Sequence, residues 1–140
     1  MQDLYQGVVF FIQHREVTSN KPHYLVVLNP DPGRDELVVF GVITSGIANA
    51  KKRVEINGEN PETLVILTPL DYSELEHESV IDCNSPVKYS KWEFEQAFGQ
   101  LNSKRKSNMP VSICEEVIKG ISLSKQVPPR IKKILNSRSA

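Results

Sequence analysis

The chain has 140 residues, of which 24% are charged and 39% are hydrophobic, and its formal net charge is +0. This length suits one domain with a single sizeable core, and the composition is ordinary for a soluble globular protein. The chain contains no run of 18 apolar residues, so no transmembrane helix is predicted. The first residues also lack the basic region of a signal peptide. A cytoplasmic protein is therefore expected.

The charges are unevenly distributed along the chain. Residues 1–100 contain 8 Lys and Arg and 15 Asp and Glu, a net charge of −7, whereas residues 101–140 contain 9 and 2, a net charge of +7. Such an imbalance indicates a nucleic-acid contact, or a basic tail that docks on an acidic surface. The alternative is a set of helices whose basic faces are simply solvated.

Six short strands are predicted before residue 85, because runs rich in Val, Ile and Phe alternate with turn signals. In chain order they span residues 7–14, 23–30, 37–44, 51–57, 63–69 and 78–84. Gly41 lies inside the third run, which predicts a bulge or a tight bend. No helical periodicity separates the runs, so the pattern predicts a small all-β barrel or sandwich.

Helices are predicted in the rest of the chain. Apolar residues that recur every three or four positions predict two of them, and a Pro-Pro pair predicts the start of a short third one. The three helices span residues 90–101, 109–123 and 129–135. Ser90 and Glu93 form the pattern of a capping box at the start of the first helix. The polar residues 102–108 are predicted to be a connector.

The residues that usually hold metals or perform hydrolysis form no familiar motif. His14, His23 and His77 are widely spaced, so structural or surface roles are predicted for them rather than a zinc site. Cys83 and Cys114 have no CxxC spacing and are predicted to be reduced thiols. Neither a GxSxG elbow nor a phosphate-binding glycine loop is present, so no cofactor and no metal are expected.

Two adjacent hydroxyls, Thr44 and Ser45, end the third predicted strand. If the second and third strands form an antiparallel hairpin, the start of the second strand, near Lys21 and His23, lies opposite the end of the third. The hairpin then brings Lys21 and the two hydroxyls to one rim of the sheet. An ordinary strand end with turn chemistry remains the alternative.

Further cations lie close to these hydroxyls in the sequence. His14 and Arg15 end the first strand and reach the same rim if that strand is antiparallel to the second. Lys51, Lys52 and Arg53 follow the hydroxyls. Cations and hydroxyls together suit a phosphodiester, because they stabilise the charge that develops on the phosphorane oxygens. RNA supplies its own nucleophile, the 2′-OH, so such a site needs no metal.

The stretches KPHYLVVLNP and LVVFGVITSGIANAKKRVEI resemble the MazF/PemK (Kid) family of toxins from bacterial toxin–antitoxin pairs. The family begins with a glycine-initiated strand, as in GVVFFIQH, and ESVIDCNSPVKYSKWEF looks like its last strands and C-terminal helix. The resemblance covers about residues 5–101. It implies a mainly β (α+β) fold, an SH3-like small β-barrel with C-terminal helices. Residues 1–101 would form the family domain and residues 102–140 a basic helical extension.

The resemblance also implies a function. Members of the family form homodimers, cleave single-stranded RNA without a metal through the substrate 2′-OH, and are neutralised by a cognate antitoxin. The Thr that ends the family's Ile-Thr strand corresponds to Thr44, and the catalytic Arg before proline corresponds to Lys21. Related barrel toxins of RNA-antitoxin systems look similar in using a Lys with a Thr-Ser pair. Lys21, Thr44 and Ser45 are therefore the implied catalytic residues.

Lysine in place of arginine departs from the family pattern. Arginine offers phosphate a planar fork, whereas lysine is a point charge on a flexible stem. Arg15 is an alternative candidate for the role of the family's catalytic arginine. RNA contacts are expected from Arg15, His14, Lys51, Lys52 and Arg53. The alternative function is a catalytically inactive SH3-like barrel that binds nucleic acid or protein through its basic C-terminal extension.

Overall fold

The computed structural model describes residues 4–12, 22–100 and 104–136. These residues form seven strands and four helices, with a 3₁₀ turn at Pro61–Thr63. The strands are β1 Val9–Ile12, β2 His23–Val27, β3 Leu37–Thr44, β4 Leu64–Leu67, β5 Ser79–Asp82, β6 Val87–Ser90 and β7 Lys104–Lys106. The helices are α1 Ile47–Ile56, α2 Lys91–Gln100, α3 Val111–Leu123 and α4 Pro129–Asn136.

The strands form one antiparallel sheet in the order β4-β5-β3-β2-β1-β7, with β6 paired to β3 outside this path. β3 changes partner along its length, because Leu37 to Phe40 pair with β6 whereas Ile43 and Thr44 pair with β5. Among the described strands, the end strands β4 and β7 do not pair with each other, so the sheet is open. The predicted mainly β, α+β class is confirmed at this level.

Gly41 lies where β3 passes from one partner to the other. It pairs with Val26, and the β2–β3 register continues on both sides without an inserted residue, so no bulge forms against β2. A Cβ added to Gly41 would lie 3.2 Å from Cγ2 of Ile81 on β5. Close packing of the neighbouring strand is therefore what keeps this position small.

The predicted strand over residues 51–57 is wrong, because these residues belong mainly to α1. Val54 and Ile56 alternate with charges, but Val54 is only 6% exposed whereas Ile56 is 72% exposed. Ala50 and Val54, four residues apart, form the buried stripe of a helix. Ala, Lys, Arg and Glu are strong helix formers, and an alternation over three residues is too short to distinguish a strand from one helical turn.

The predicted connector over residues 102–108 contains a strand. Lys104–Lys106 form β7 and pair with β1, with Lys106 opposite Val9. Three consecutive cations have no apolar alternation, so the local sequence does not predict a strand there. The free edge of β1 supplies the pairing instead. The strand pattern also misses β6, whose alternation of buried and exposed residues covers only four positions.

The three predicted helices are confirmed as α2, α3 and α4, with bounds that differ by no more than two residues. The predicted capping box of α2 is confirmed too. The Ser90 N–H donates to Oε1 of Glu93 at 2.9 Å, and the Glu93 N–H donates to Oγ of Ser90 at 3.1 Å. Each residue thereby satisfies a backbone donor of the other.

Helices cover the sheet on both faces. On one face, Phe94 of α2 packs against Phe10 and Phe40, with ring centroids 5.8 and 6.2 Å away. On the other face, α3 and α4 complete a larger core. Nine of the twenty buried residues of this second core lie between Met109 and Leu135. Residues 109–135 therefore contribute to a hydrophobic core shared with the sheet.

At Gly120, α3 lies very close to the 3₁₀ turn and to the residue that follows β5. A Cβ added there would lie 2.6 Å from Sγ of Cys83 and 3.2 Å from the carbonyl oxygen of Glu62. Cys83 and Cys114 are both free and buried, as predicted, and burial raises the pKa of each thiol to about 12. These thiols are packing groups in the native protein because little reactive thiolate forms.

Gly120→Ala is expected to destabilise the fold by about 1–2 kcal/mol. Overpacking typically costs about 1–3 kcal/mol, which outweighs the roughly 1 kcal/mol that Ala gains over Gly in a helix. Urea unfolding of Gly120→Ala in the wild-type and Cys83→Ala backgrounds measures this. The cost is expected to be smaller with Ala at position 83, because Sγ is gone; equal costs in both backgrounds would show that the close approach is not the cause.

A buried carboxylate connects the turn after α1 to the segment between α3 and α4. Glu59 is only 6% exposed, and both of its carboxylate oxygens accept the Lys125 N–H at 3.1 Å. Gln126 Nε2 donates to the same carboxylate at 3.0 Å. The Lys125 N–H, followed by Gln126 and nearby lysine charges, lowers the pKa of Glu59 below its ordinary value of 4.5 despite desolvation.

Glu59→Gln is expected to lower the free energy of unfolding at pH 7. Because the pKa of Glu59 is lower in the folded than in the unfolded state, its carboxylate stabilises the fold above the unfolded pKa. That contribution disappears as the pH falls through the folded pKa. Unfolding titrations at pH 7 and pH 3 should therefore show the two proteins converging at the lower pH, and a constant difference would contradict this role.

Candidate functional site

The pairing of three strands fixes the position of Thr44. β1, β2 and β3 are antiparallel neighbours, as predicted. Ile12 pairs with His23, and the β2–β3 register, extended by one residue, places His23 opposite Thr44. The start of β2 and the end of β3 therefore meet at one rim of the sheet. This is the arrangement that the predicted antiparallel hairpin requires.

A cleft of about 380 Å³ opens at this rim. Its walls include Thr44, which is partly buried, and Ser45, which is exposed. Within the described residues, neither side-chain hydroxyl has a hydrogen-bond partner. Both hydroxyls are consequently available to a ligand in the cleft.

α1 begins two residues after Ser45. Its N-cap is Gly46, which offers no side-chain cap, and its first turn has no acidic residue. The Ile47 N–H donates to the carbonyl oxygen of Ser45 at 2.9 Å, and the next N–H groups of the first turn lack intrahelical acceptors at the positive end of the helix dipole. Two hydroxyls followed by an uncapped helix start suit a phosphate group. Sequence reasoning missed this feature, because it assigned the cations after Gly46 to a strand.

His23 and His77 also line the cleft, although the sequence predicts only structural or surface roles for them. His23 begins β2, whereas His77 is exposed in the segment before β5. Hairpin counting places His23 beside Thr44, so this residue was within reach of sequence reasoning. The approach of His77 depends on how the segment between β4 and β5 folds, which the sequence does not reveal.

Two carboxylates, Glu74 and Glu76, belong to the same walls. Glu74 accepts hydrogen bonds from the N–H and the hydroxyl of Ser107, both at 2.9 Å, and these bonds lower its pKa. Lys106 lowers that pKa further. Nζ of Lys106 also lies 5.8 Å from the ring centroid of Phe11, another wall residue, so β7 supplies a cation near the cleft.

The three consecutive cations of α1 are not among the residues that line this cleft. Lys51, Lys52 and Arg53 are exposed, and Nη2 of Arg53 lies 3.4 Å from Oδ2 of Asp82. Lys51 instead lines a separate groove between α1 and β4. Contact between these cations and RNA stays a prediction.

Lys21, His14 and Arg15 lie outside the described residues, so their predicted roles rest on the sequence alone. Lys21 immediately precedes Pro22 and His23, and both of these residues line the cleft. The sequence therefore connects Lys21 directly to a wall of the site.

No family model and no curated protein matches this chain. Among residues 4–12, 22–100 and 104–136, no group of three or more His, Cys, Asp and Glu side chains is arranged to hold a metal. Within the same ranges, no helix has the length and apolarity that a membrane crossing requires. The function is therefore inferred from the cleft at the end of β3.

Proposed function

We propose that this protein is a metal-independent endoribonuclease that cleaves single-stranded RNA in the cleft beside Thr44. The main support is the pair of unpartnered hydroxyls, Thr44 and Ser45, placed just before the uncapped start of α1. Hydroxyl and N–H groups together can donate several hydrogen bonds to the non-bridging oxygens of one phosphodiester.

The cleavage step uses the RNA itself as the nucleophile. The substrate 2′-OH attacks the adjacent phosphorus, and negative charge grows on the non-bridging oxygens. Thr44 and Ser45 hydrogen-bond these oxygens, and Lys21, which immediately precedes the wall residue Pro22, supplies positive charge. Arg15 and His14 are auxiliary RNA-binding residues in this proposal.

The proposed fold family is the SH3-like barrel of MazF/PemK toxins, on the strength of the sequence resemblance. The division of β3 between β6 and β5 supports it, because a strand that serves two partners in succession makes a corner in the sheet. With that family come the proposals of a cytoplasmic homodimer and of a cognate antitoxin that neutralises it.

The test is incubation of the purified chain with a pool of single-stranded RNA in excess EDTA. Sequence-selective cleavage is expected, with a 2′,3′-cyclic phosphate on one fragment and a 5′-hydroxyl on the other. Lys21→Ala, purified in the same way, controls for contaminating nucleases and is expected to be inactive. Intact RNA with the wild-type protein, or cleavage that persists unchanged with Lys21→Ala, would refute the proposal as stated.

A further inference from the structure

We infer that His23 and His77 are the two proton-transfer groups of this cleavage reaction, one as general base and the other as general acid. The inference rests on the proposed function and adds catalytic residues to the same site. His23 and His77 are both among the residues that line the cleft containing Thr44 and Ser45. General acid–base catalysis contributes about 10²- to 10⁴-fold to a rate, and histidine performs it most often.

His23 has a position fixed by the sheet. It pairs with Ile12 on one side and lies opposite Thr44 on the other, and its side chain is partly buried. Directly opposed residues in an antiparallel sheet have Cβ atoms about 4.5–5.5 Å apart. A phosphate bound to the Thr44 hydroxyl therefore lies within reach of the His23 imidazole.

His77 approaches the cleft from a different segment. Its carbonyl accepts a hydrogen bond from Oγ of Ser79 at 3.2 Å, and Ser79 is a buried residue at the start of β5. The backbone of His77 is thereby held at the cleft while its side chain stays exposed. Two imidazoles on separate segments can serve the attacking and leaving oxygens of one phosphodiester.

The other titratable groups around the cleft are less suited to the task. Burial, followed by the charges of Glu74 and Glu76, raises the pKa of Tyr24, so this phenol keeps its proton at neutral pH. The carboxylate of Glu74 already accepts two hydrogen bonds from Ser107. Glu76 is exposed and is the competing candidate for the base.

The reaction balances without a further reactant. The base takes the proton of the 2′-OH as the 2′-oxygen forms its bond to phosphorus. The bond from phosphorus to the 5′-oxygen breaks, and the acid gives its proton to that oxygen. The products are a 2′,3′-cyclic phosphate and a 5′-hydroxyl, and each imidazole ends in the protonation state in which the other began.

The test compares ordinary RNA with RNA that has sulfur in place of the bridging 5′-oxygen at the cleaved bond. A thiol has an ordinary pKa near 8.5, so a thiolate leaves without protonation and needs no general acid. His23→Asn and His77→Asn are each expected to cleave ordinary RNA about 10²- to 10⁴-fold more slowly. One of the two variants, the one that lacks the acid, should regain most of the wild-type rate on the sulfur substrate.

Controls separate this inference from the proposed function and from folding defects. Glu95→Gln changes an exposed carboxylate on α2 that does not line the cleft, and it is expected to cleave ordinary RNA at the wild-type rate. Glu76→Gln tests the competing base, and thermal unfolding monitors each variant. His23→Gln is a second variant, in case His23→Asn lowers the unfolding temperature. Three outcomes overturn this inference alone when the wild-type protein cleaves RNA. The first is that the His variants cleave ordinary RNA as fast as wild type, and the second is that the sulfur substrate restores cleavage by both variants or by neither. The third is that only Glu76→Gln loses cleavage. Absence of wild-type cleavage overturns both.

Discussion

Thr44→Val is expected to reduce the rate of RNA cleavage by about 10²- to 10³-fold, the usual effect of removing one preorganised donor to a developing oxyanion. Valine keeps the β-branched shape of threonine, so the strand end and its pairing with Val80 are retained. Because the Thr44 hydroxyl has no partner in the described parts of the chain, its removal leaves no protein group unsatisfied. Stability is therefore expected to change little.

Two matched variants define the role of the hydroxyl. Thr44→Ser retains it and is expected to stay within tenfold of the wild-type rate. Ser112→Ala removes an exposed hydroxyl from the first turn of α3 and should have no effect on cleavage. Single-turnover rates and thermal unfolding of all three variants provide the measurement. Equal rates for Thr44→Val and wild type would exclude a phosphate contact by this hydroxyl.

Removal of residues 102–140 is expected to abolish cooperative folding. Nine of the twenty buried residues of the core beneath α3 and α4 lie between Met109 and Leu135. Seven of these nine side chains are aliphatic, and at roughly 1.5–3 kcal/mol each they contribute about 10–21 kcal/mol, as much as or more than the roughly 5–15 kcal/mol by which a typical domain is stable. The truncation also removes β7 from the edge of β1 and exposes the face that α3 covers.

A chain that ends at Asn136 is the matched control, because it retains every described helix. It is expected to unfold in one cooperative urea transition, whereas a chain that ends at Leu101 should show none. A cooperative transition of near-native size for the shorter chain would contradict the shared core. Because the deletion is expected to unfold the protein, it is a poor test of RNA binding by the C-terminal region. Charge reversal of Lys119 and Lys133, which are both exposed, is the better test.

The central hairpin could be predicted from sequence, because apolar runs and turn residues define its strands. The same count correctly places the start of β2 opposite Thr44. The capping box of α2 was equally accessible, since both partners belong to one local pattern. Features that depend on a single turn or on the pairing of consecutive strands can therefore be predicted from the local sequence.

Features that depend on distant parts of the chain were missed. β7 consists of three cations and becomes a strand only because the edge of β1 is free to pair. α1 buries only Ala50 and Val54, a stripe too narrow to identify from its period. That error concealed the uncapped helix start beside Ser45. His77 lies at the cleft because of the fold of an irregular segment, which no spacing predicts.

The most direct test of the proposed site is an amide-resolved NMR titration with a 2′-deoxy oligonucleotide, which lacks the nucleophile and is not cleaved. The predicted result is that the largest shifts fall on residues 44–49, at the end of β3 and the start of α1, and on His23 and His77. Thr44→Val should weaken these shifts. Shifts confined to α3 and α4 would contradict the proposed site and favour binding through the basic C-terminal region.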